Sequence, residues 1–200
     1  MSTDENRVFA ALKKYGLLLL NDSALPNLCR LAVGERVRGS WWAHPRAQEI
    51  FQVYEALEDH PDVLIMKLIS GKVTYIHRTL WPQVVAVGRS REPWQMKDLS
   101  AAARNLLSVV DKAPVQPGRE KAAAAAELSA VMLVFSAQFH SKSGAHVRRL
   151  ESWDHWSNRT GAFQDSITPA SARHSLEERI SNLNHAFDGR GRLPWQGKLE

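Results

Sequence analysis

Apolar residues recur at helical spacing along the start of the chain. Val8, Leu12, Tyr15 and Leu19 fall on one side, and Gly16 interrupts the run. This predicts a first helix with a candidate stop at Gly16, beyond which Leu17–Leu20 forms a short buried strand. Leu25 to Val33 reads as a short helix closed by Gly34. Glu35 to Trp41 alternates and predicts a short strand. Pro45 suits the first turn of a helix running to about Asp59. In that helix Ala47, Ile50, Phe51, Val53, Tyr54 and Leu57 gather on one side, opposite Gln48, Glu49, Gln52, Glu55 and Asp59. Two β-branched runs, Val63–Ile69 and Lys72–His77, flank Ser70-Gly71 and predict a hairpin.

Further along, helices are expected from about Thr79 or Pro82 to Val87 and from Leu99 to Val110. The Pro- and Gly-containing stretch 113–118 reads as a linker. The alanine run 122–126 predicts a long helix from Arg119 to about Phe139. After a turn at Ser141–Gly144, another helix is expected from Ala145 to about Asn158, then a loop, then a last helix over Arg173–Phe187. The expected fold is therefore mainly α with a small β component. It comprises an α+β domain over 1–112 with its hairpin at 63–78, a linker at 113–118, an α-helical domain over 119–187 and a polar tail over 188–200. Over residues 8–78 the order helix, short strand, helix, strand, helix and hairpin resembles a winged-helix domain, with Ser70-Gly71-Lys72 at the wing tip. The resemblance implies DNA binding. The outer face of the third helix carries Glu49, Glu55 and Asp59, which repel phosphates, so contacts are expected instead from Arg36, Arg38, Lys72 and Arg78.

Composition adds little except in where the charge falls. Of 200 residues, 26 are Lys or Arg and 21 are Asp or Glu, giving a net charge of +5. The surplus lies in residues 61–160, and a basic surplus favours polyanions. The single cysteine, Cys29, sits beside Leu28 and Leu31 and reads as core, which suits a reducing compartment. No stretch has the pattern of a signal peptide or a membrane span, so a cytoplasmic protein without a membrane partner is expected. No phosphate-binding, dinucleotide-binding or nucleophile-elbow motif is present, and no cofactor is expected.

Two segments carry candidate chemistry. The first runs from Arg36 to Arg46 into a helix start, joining Arg36, Arg38 and Arg46 with Ser40, His44 and the pair Trp41-Trp42. Arginines and free helix N–H groups attract anions, and exposed tryptophans stack on bases. Adjacent tryptophans are expected to point in different directions and to be buried unequally. The second segment, 140–156, is read as helical. Val147, Leu150, Trp153 and Trp156 then form an apolar arc that includes His146 and Asp154, with Arg149 and Glu151 at its edges. Ionisable groups on such an arc must be paired or line a cavity. His140, His146, Glu151 and His155 do not make a zinc site on a helix, because His146 and Glu151 fall roughly 140° apart. On the hairpin, Tyr75, His77 and Arg78 are candidates to line a cleft.

These features motivate a DNA-processing or repair hydrolase acting on an extruded nucleotide, such as a base-excision glycosylase. Glu151 or Asp154 would be the acid/base, His146 or His44 its partner, and Trp41 or Trp42 the stacking group. Arg36, Arg38, Ser40, Arg46, Lys72, Tyr75, His77, Arg78, His140 and Arg149 would bind the substrate. The reading requires His146 and Glu151 to face Trp41–His44. One alternative is a non-catalytic winged-helix DNA-binding regulator with a helical oligomerisation half, in which the polar groups of 140–156 are paired internally. Another is an enzyme on a small anionic metabolite.

Overall fold

The computed structural model describes residues 2–140, 146–162 and 166–197, with the backbone alone at 138–140, 146 and 147. The chain is mainly α with a small β component, and it divides into two compact units. One comprises Met1–Trp81 and Leu176–Leu193, the other Pro82–Ser175 and Pro194–Glu200.

The first unit begins with helix α1 (Thr3–Tyr15). Ser2 and Glu5 cap its start reciprocally, and Gly16 closes it in the left-handed region at φ 77°. A side chain at Gly16 would meet Leu80, so the chain turns there directly into strand β1 (Leu17–Leu19), which is wholly buried. Asn27 caps helix α2 (Leu28–Val33) by accepting the Arg30 N–H, and Gly34 ends it. The strand expected over Glu35–Trp41 does not form. Val37 is the apolar anchor of that stretch, and Gly39 adopts φ 70°, which breaks an extended run. A short turn at Trp41–Ala43 leads into helix α3 (Ala47–Glu58), whose Ile50, Val53 and Leu57 are buried as its periodicity predicts.

Strands β2 (Val63–Lys67) and β3 (Val73–His77) pair antiparallel from Val63↔His77 to Lys67↔Val73. Strand β1 pairs with the other edge of β3, from Leu17↔Ile76 to Leu19↔Thr74, so the sheet order is β1-β3-β2. The hairpin connection is wider than Ser70-Gly71 alone, because Leu68 and Ile69 are buried and the Ile69 N–H donates to the Thr74 hydroxyl. The core of this unit joins Val8, Leu12, Leu18, Leu28, Ile50, Leu57 and Tyr75.

The segment after residue 187 departs from the expected polar tail. The Asn184 side chain brackets Gly191, donating to its carbonyl at 2.9 Å and accepting its N–H at 2.7 Å. The Ser70 N–H donates to the Arg192 carbonyl at 2.7 Å, and the Ser70 hydroxyl accepts the Arg192 N–H at 3.2 Å. Leu193 is buried. Gly189 and Gly191 allow this approach, since a Cβ at either would run into Leu25.

The second unit contains helices α4 (Trp81–Arg89, entering from the last residue of the first unit), α5 (Pro93–Met96), α6 (Ala101–Val110) and α7 (Ala122–Ala130). Residues 113–118 lie inside this unit, where the Val115 and Leu150 backbones exchange hydrogen bonds of 2.9 and 2.8 Å. The long helix expected to reach Phe139 stops at Ala130, and the helix expected from Ala145 is replaced at its start by a strand. Strands β4 (Phe135–His140) and β5 (His146–Glu151) pair antiparallel, from Phe135↔Glu151 to His140↔His146. Pairing across the sheet overrides the local helical pattern. Ser152 caps helix α8 (Trp153–Thr160), and helix α9 (Pro169–Phe187) begins one turn earlier than predicted and crosses from this unit into the first.

Between Ala130 and β4, Met132 adopts φ 60°, and its carbonyl accepts the Trp153 indole N–H at 2.6 Å. Trp153 also covers Gly88 of α4, where an added Cβ would collide with the indole Nε1, Cδ1 and Cε2 atoms. Gly88→Ala is therefore expected to destabilise the protein by about 3 kcal/mol through overpacking, against a general preference for alanine in helices. Urea denaturation monitored by tryptophan fluorescence checks this; an unchanged or raised midpoint would show that the contact yields.

Candidate nucleic-acid interface

The antiparallel register of β1 and β3 builds one corner of the first unit. Leu19 lies opposite Thr74, and the Leu20 N–H donates to the Val73 carbonyl at 2.9 Å. The loop after β1 and the turn before β3 are thereby brought side by side, and the Lys72 ammonium sits 2.6 Å from Asp22. The other Asp22 oxygen accepts the Ala24 and Leu25 N–H groups at 2.9 Å each. Burial opposes ionisation of Asp22, but Lys72 and the two amides outweigh it and hold its carboxyl below the ordinary value of 3.8.

The loop after α2 lies against the same corner. Asn21 donates from Nδ2 to the Val37 and Gly39 carbonyls, both at 3.4 Å, while Val37 is buried and Arg36 and Arg38 on either side of it are exposed. Asn21, Asp22, Ser23 and residues 36–39 line a cavity of about 290 Å³. Among the described residues Arg36 and Arg38 make no ion pair or hydrogen bond, so both guanidinium groups are open to an anion. Lys72 neutralises Asp22, which leaves the corner with a clear positive excess.

Immediately beyond Ser40, the Trp41 and Trp42 rings stack with centroids 3.7 Å apart. They do not point in different directions as expected, because the tight turn at 41–43 lays one on the other. Their exposure nevertheless differs: Trp41 is half-buried against the core and Trp42 is 63% exposed. Trp42 also meets Phe51 at 5.5 Å, and Phe51 meets Tyr54 at 6.3 Å, extending the ledge along α3. Ser40 makes no side-chain cap. His44 accepts the Arg46 N–H at Nδ1, and its Nε2 lies 3.7 Å from Glu35. The Arg46 guanidinium is engaged by Glu49 and by the Val33 carbonyl. The outer face of α3 carries exposed Glu55, Glu58 and Asp59.

The remaining residues singled out in the sequence have other surroundings. Tyr75 lines no cleft; it is fully buried, its hydroxyl has no partner, and burial pushes its pKa far up. Arg78 is paired with Asp62 at 2.9 Å and lies over the Trp81 ring. His77 is buried and its Nδ1 is 3.0 Å from the Thr79 hydroxyl. In the second unit, Glu151 is paired with Arg159 at 2.8 Å, and Asp154 with Arg89 at 2.7 Å. His155 Nδ1 lies 2.7 Å from the Ser152 hydroxyl. Arg149 and Glu151 share one face of a strand, which removes the helical arc on which the second segment was read. The side chains of His140 and His146 lie outside the described residues. The sequence reading missed Asn21, Asp22 and Ser23, short polar residues between β1 and α2 that belong to no motif, and Arg159, whose return to Glu151 requires a strand followed by a helix.

Among the described residues no cluster of three or more His, Cys, Asp or Glu side chains could hold a metal ion, and no helix is long and apolar enough to cross a membrane. Comparison with protein-family models, curated proteins and solved structures finds no match to this chain.

The burial of His77 has a pH consequence. Desolvation lowers its pKa below 6.5, joined by Lys13, Arg78 and His60 and opposed by Asp62. A histidine held neutral in the fold gives its full stabilisation above the unfolded pKa and loses it as pH falls through the folded one. The melting temperature is expected to fall on going from about pH 7.5 to about pH 5.5, and His77→Gln should flatten that part of the profile. An unaltered profile in the variant would assign the pH dependence to other groups.

Proposed function

We propose that the first unit is a winged-helix module that binds nucleic acid through the loop between α2 and α3. The order α1, β1, α2, α3, β2, β3 with the sheet order β1-β3-β2 supports the winged-helix reading. The observation that carries the function is that one loop holds two unpaired arginines lining a cavity, Arg36 and Arg38, and, a few residues later in the chain, the Trp41–Trp42 stack. The arginines take phosphates, and the exposed Trp42 face takes a base. Lys72, tied to Asp22 at the wing, cancels that carboxylate and is not itself free to reach out. The acidic outer face of α3 opposes its insertion into a major groove, so binding is governed by the backbone and by stacking rather than by base-edge readout.

The second unit favours the non-catalytic form of this reading over a base-excision hydrolase. An acid/base carboxylate must be able to meet substrate without first giving up a partner. Both candidate carboxylates already have one: Glu151 lies against Arg159, and Asp154, although exposed to water, is paired with Arg89.

Fluorescence anisotropy with a labelled single strand and the matching duplex, each at several salt concentrations, tests the proposal. The wild-type protein is expected to bind the single strand more tightly, because stacking on Trp42 needs an unpaired base. Replacing Arg36 and Arg38 together by Gln should reduce the salt slope by up to about 2, near one unit per lost phosphate contact. Trp42→Ala should weaken single-strand binding by about 1–3 kcal/mol and duplex binding by less. A salt slope unchanged in the double variant would remove this loop from the interface.

A further inference from the structure

The paired strands β4 and β5 carry a second cavity, of about 240 Å³, lined by Phe135, Ala137, Arg149, Glu151 and Arg159. The register sets Phe135 opposite Glu151 and Ala137 opposite Arg149, so one ribbon face is apolar along one strand and charged along the other. Phe135 is backed by Trp153 and Trp156, with ring centroids 6.1 and 5.7 Å away, which makes the apolar wall stiff. The charged side is unequally satisfied. Glu151 is 3% exposed, and Arg159 reaches it side-on, with Nη2 at 2.8 Å from one oxygen and Nε at 3.4 Å from the other. Arg149 comes only to 3.9 Å from Glu151, beyond hydrogen-bonding distance. No hydrogen bond from the Arg149 side chain is made among the described residues, although a guanidinium carries five N–H donors.

From this arrangement we infer that the second unit binds a small carboxylate with an apolar body. Two guanidinium groups and one carboxylate leave the cavity with an uncompensated positive charge. Arg149 can offer paired N–H groups to a carboxylate, the geometry that an arginine fork matches best. Phe135 and Ala137 then cover the apolar part of the same ligand. Glu151 holds Arg159 in place and excludes a second anion from its side of the cavity. The volume lies below the usual range for drug-sized ligands, which selects a small molecule. All five residues belong to the second unit, so the inference stands independently of nucleic-acid binding.

Isothermal titration calorimetry of the full chain with benzoate, benzamide and inorganic phosphate tests it. Benzoate is expected to bind at least about tenfold more tightly than neutral benzamide, which lacks the charge, and than phosphate, which lacks the ring. Arg149→Gln should lower benzoate affinity by about tenfold or more while leaving the thermal midpoint unmoved, because this side chain is 42% exposed and forms no hydrogen bond. Glu151→Gln retains an oxygen for Arg159 and removes the competing charge, so it should tighten benzoate binding. If that variant fails to fold, the Arg149 variant still decides the matter. Equal binding of benzoate and benzamide, or unchanged benzoate binding by Arg149→Gln, overturns the site. Equal binding of phosphate and benzoate overturns the apolar half of the assignment.

Discussion

Strand β3 is paired along both edges, and the geometry of the first unit depends on that double pairing. Residues 74–77 are buried one after another, with Tyr75 and Ile76 fully so. A strand enclosed in this way has little freedom to slip, because a shift of one residue would exchange its two faces. What lies at its ends is therefore fixed as well. The turn before it delivers Lys72 to Asp22, since β1 runs antiparallel and finishes where β3 begins. The residue that ends it, His77, donates its N–H to the Gly16 carbonyl at 2.9 Å and so ties the sheet to the close of α1.

Partnering, rather than the sum of charges along the sequence, decides which cations face outward. Residues 61–160 hold the basic surplus, yet Arg78 is paired with Asp62, Arg89 with Asp154 and Arg91 with Asp111. The loop at 36–38 lies in a stretch without a net positive charge, yet its two arginines are left open beside a cavity. Segment totals describe the long-range field. A contact requires a side chain that no nearby carboxylate has already taken.

The elements legible in the sequence are those fixed by short-range rules. The glycine stops at 16 and 34, the apolar face of α3 and the hairpin around residues 68–72 all rest on local conformational preference. The region 119–158 was misread because its outcome is set by partners far away in sequence. Residues 146–151 pair with 135–140 on one side, and Leu150 pairs with Val115 on the other. The alanine run does form a helix, but it ends where Met132 meets the Trp153 indole. Of the candidate sites, the arginine and tryptophan residues of 36–42 were legible by type. The cavity that Arg36 and Arg38 line was not, because Asn21, Asp22 and Ser23 reach it only through the β1–β3 register. The folding back of 188–193 onto Ser70 left no periodic signal, since it rests on two glycines and on the Asn184 side chain.

The corner formed by the 36–42 loop is the surface proposed to meet nucleic acid. Titrating an unlabelled single-stranded oligonucleotide into the ¹⁵N-labelled protein and following arginine Nε and tryptophan Nε1 resonances tests it most directly. The signals of Arg36, Arg38 and Trp42 are expected to move together and saturate at one concentration, while those of Arg46 and Arg78, already held by Glu49 and Asp62, stay in place. Shifts confined to Arg46 and Arg78, or no shift at Trp42 in a saturated complex, would contradict it.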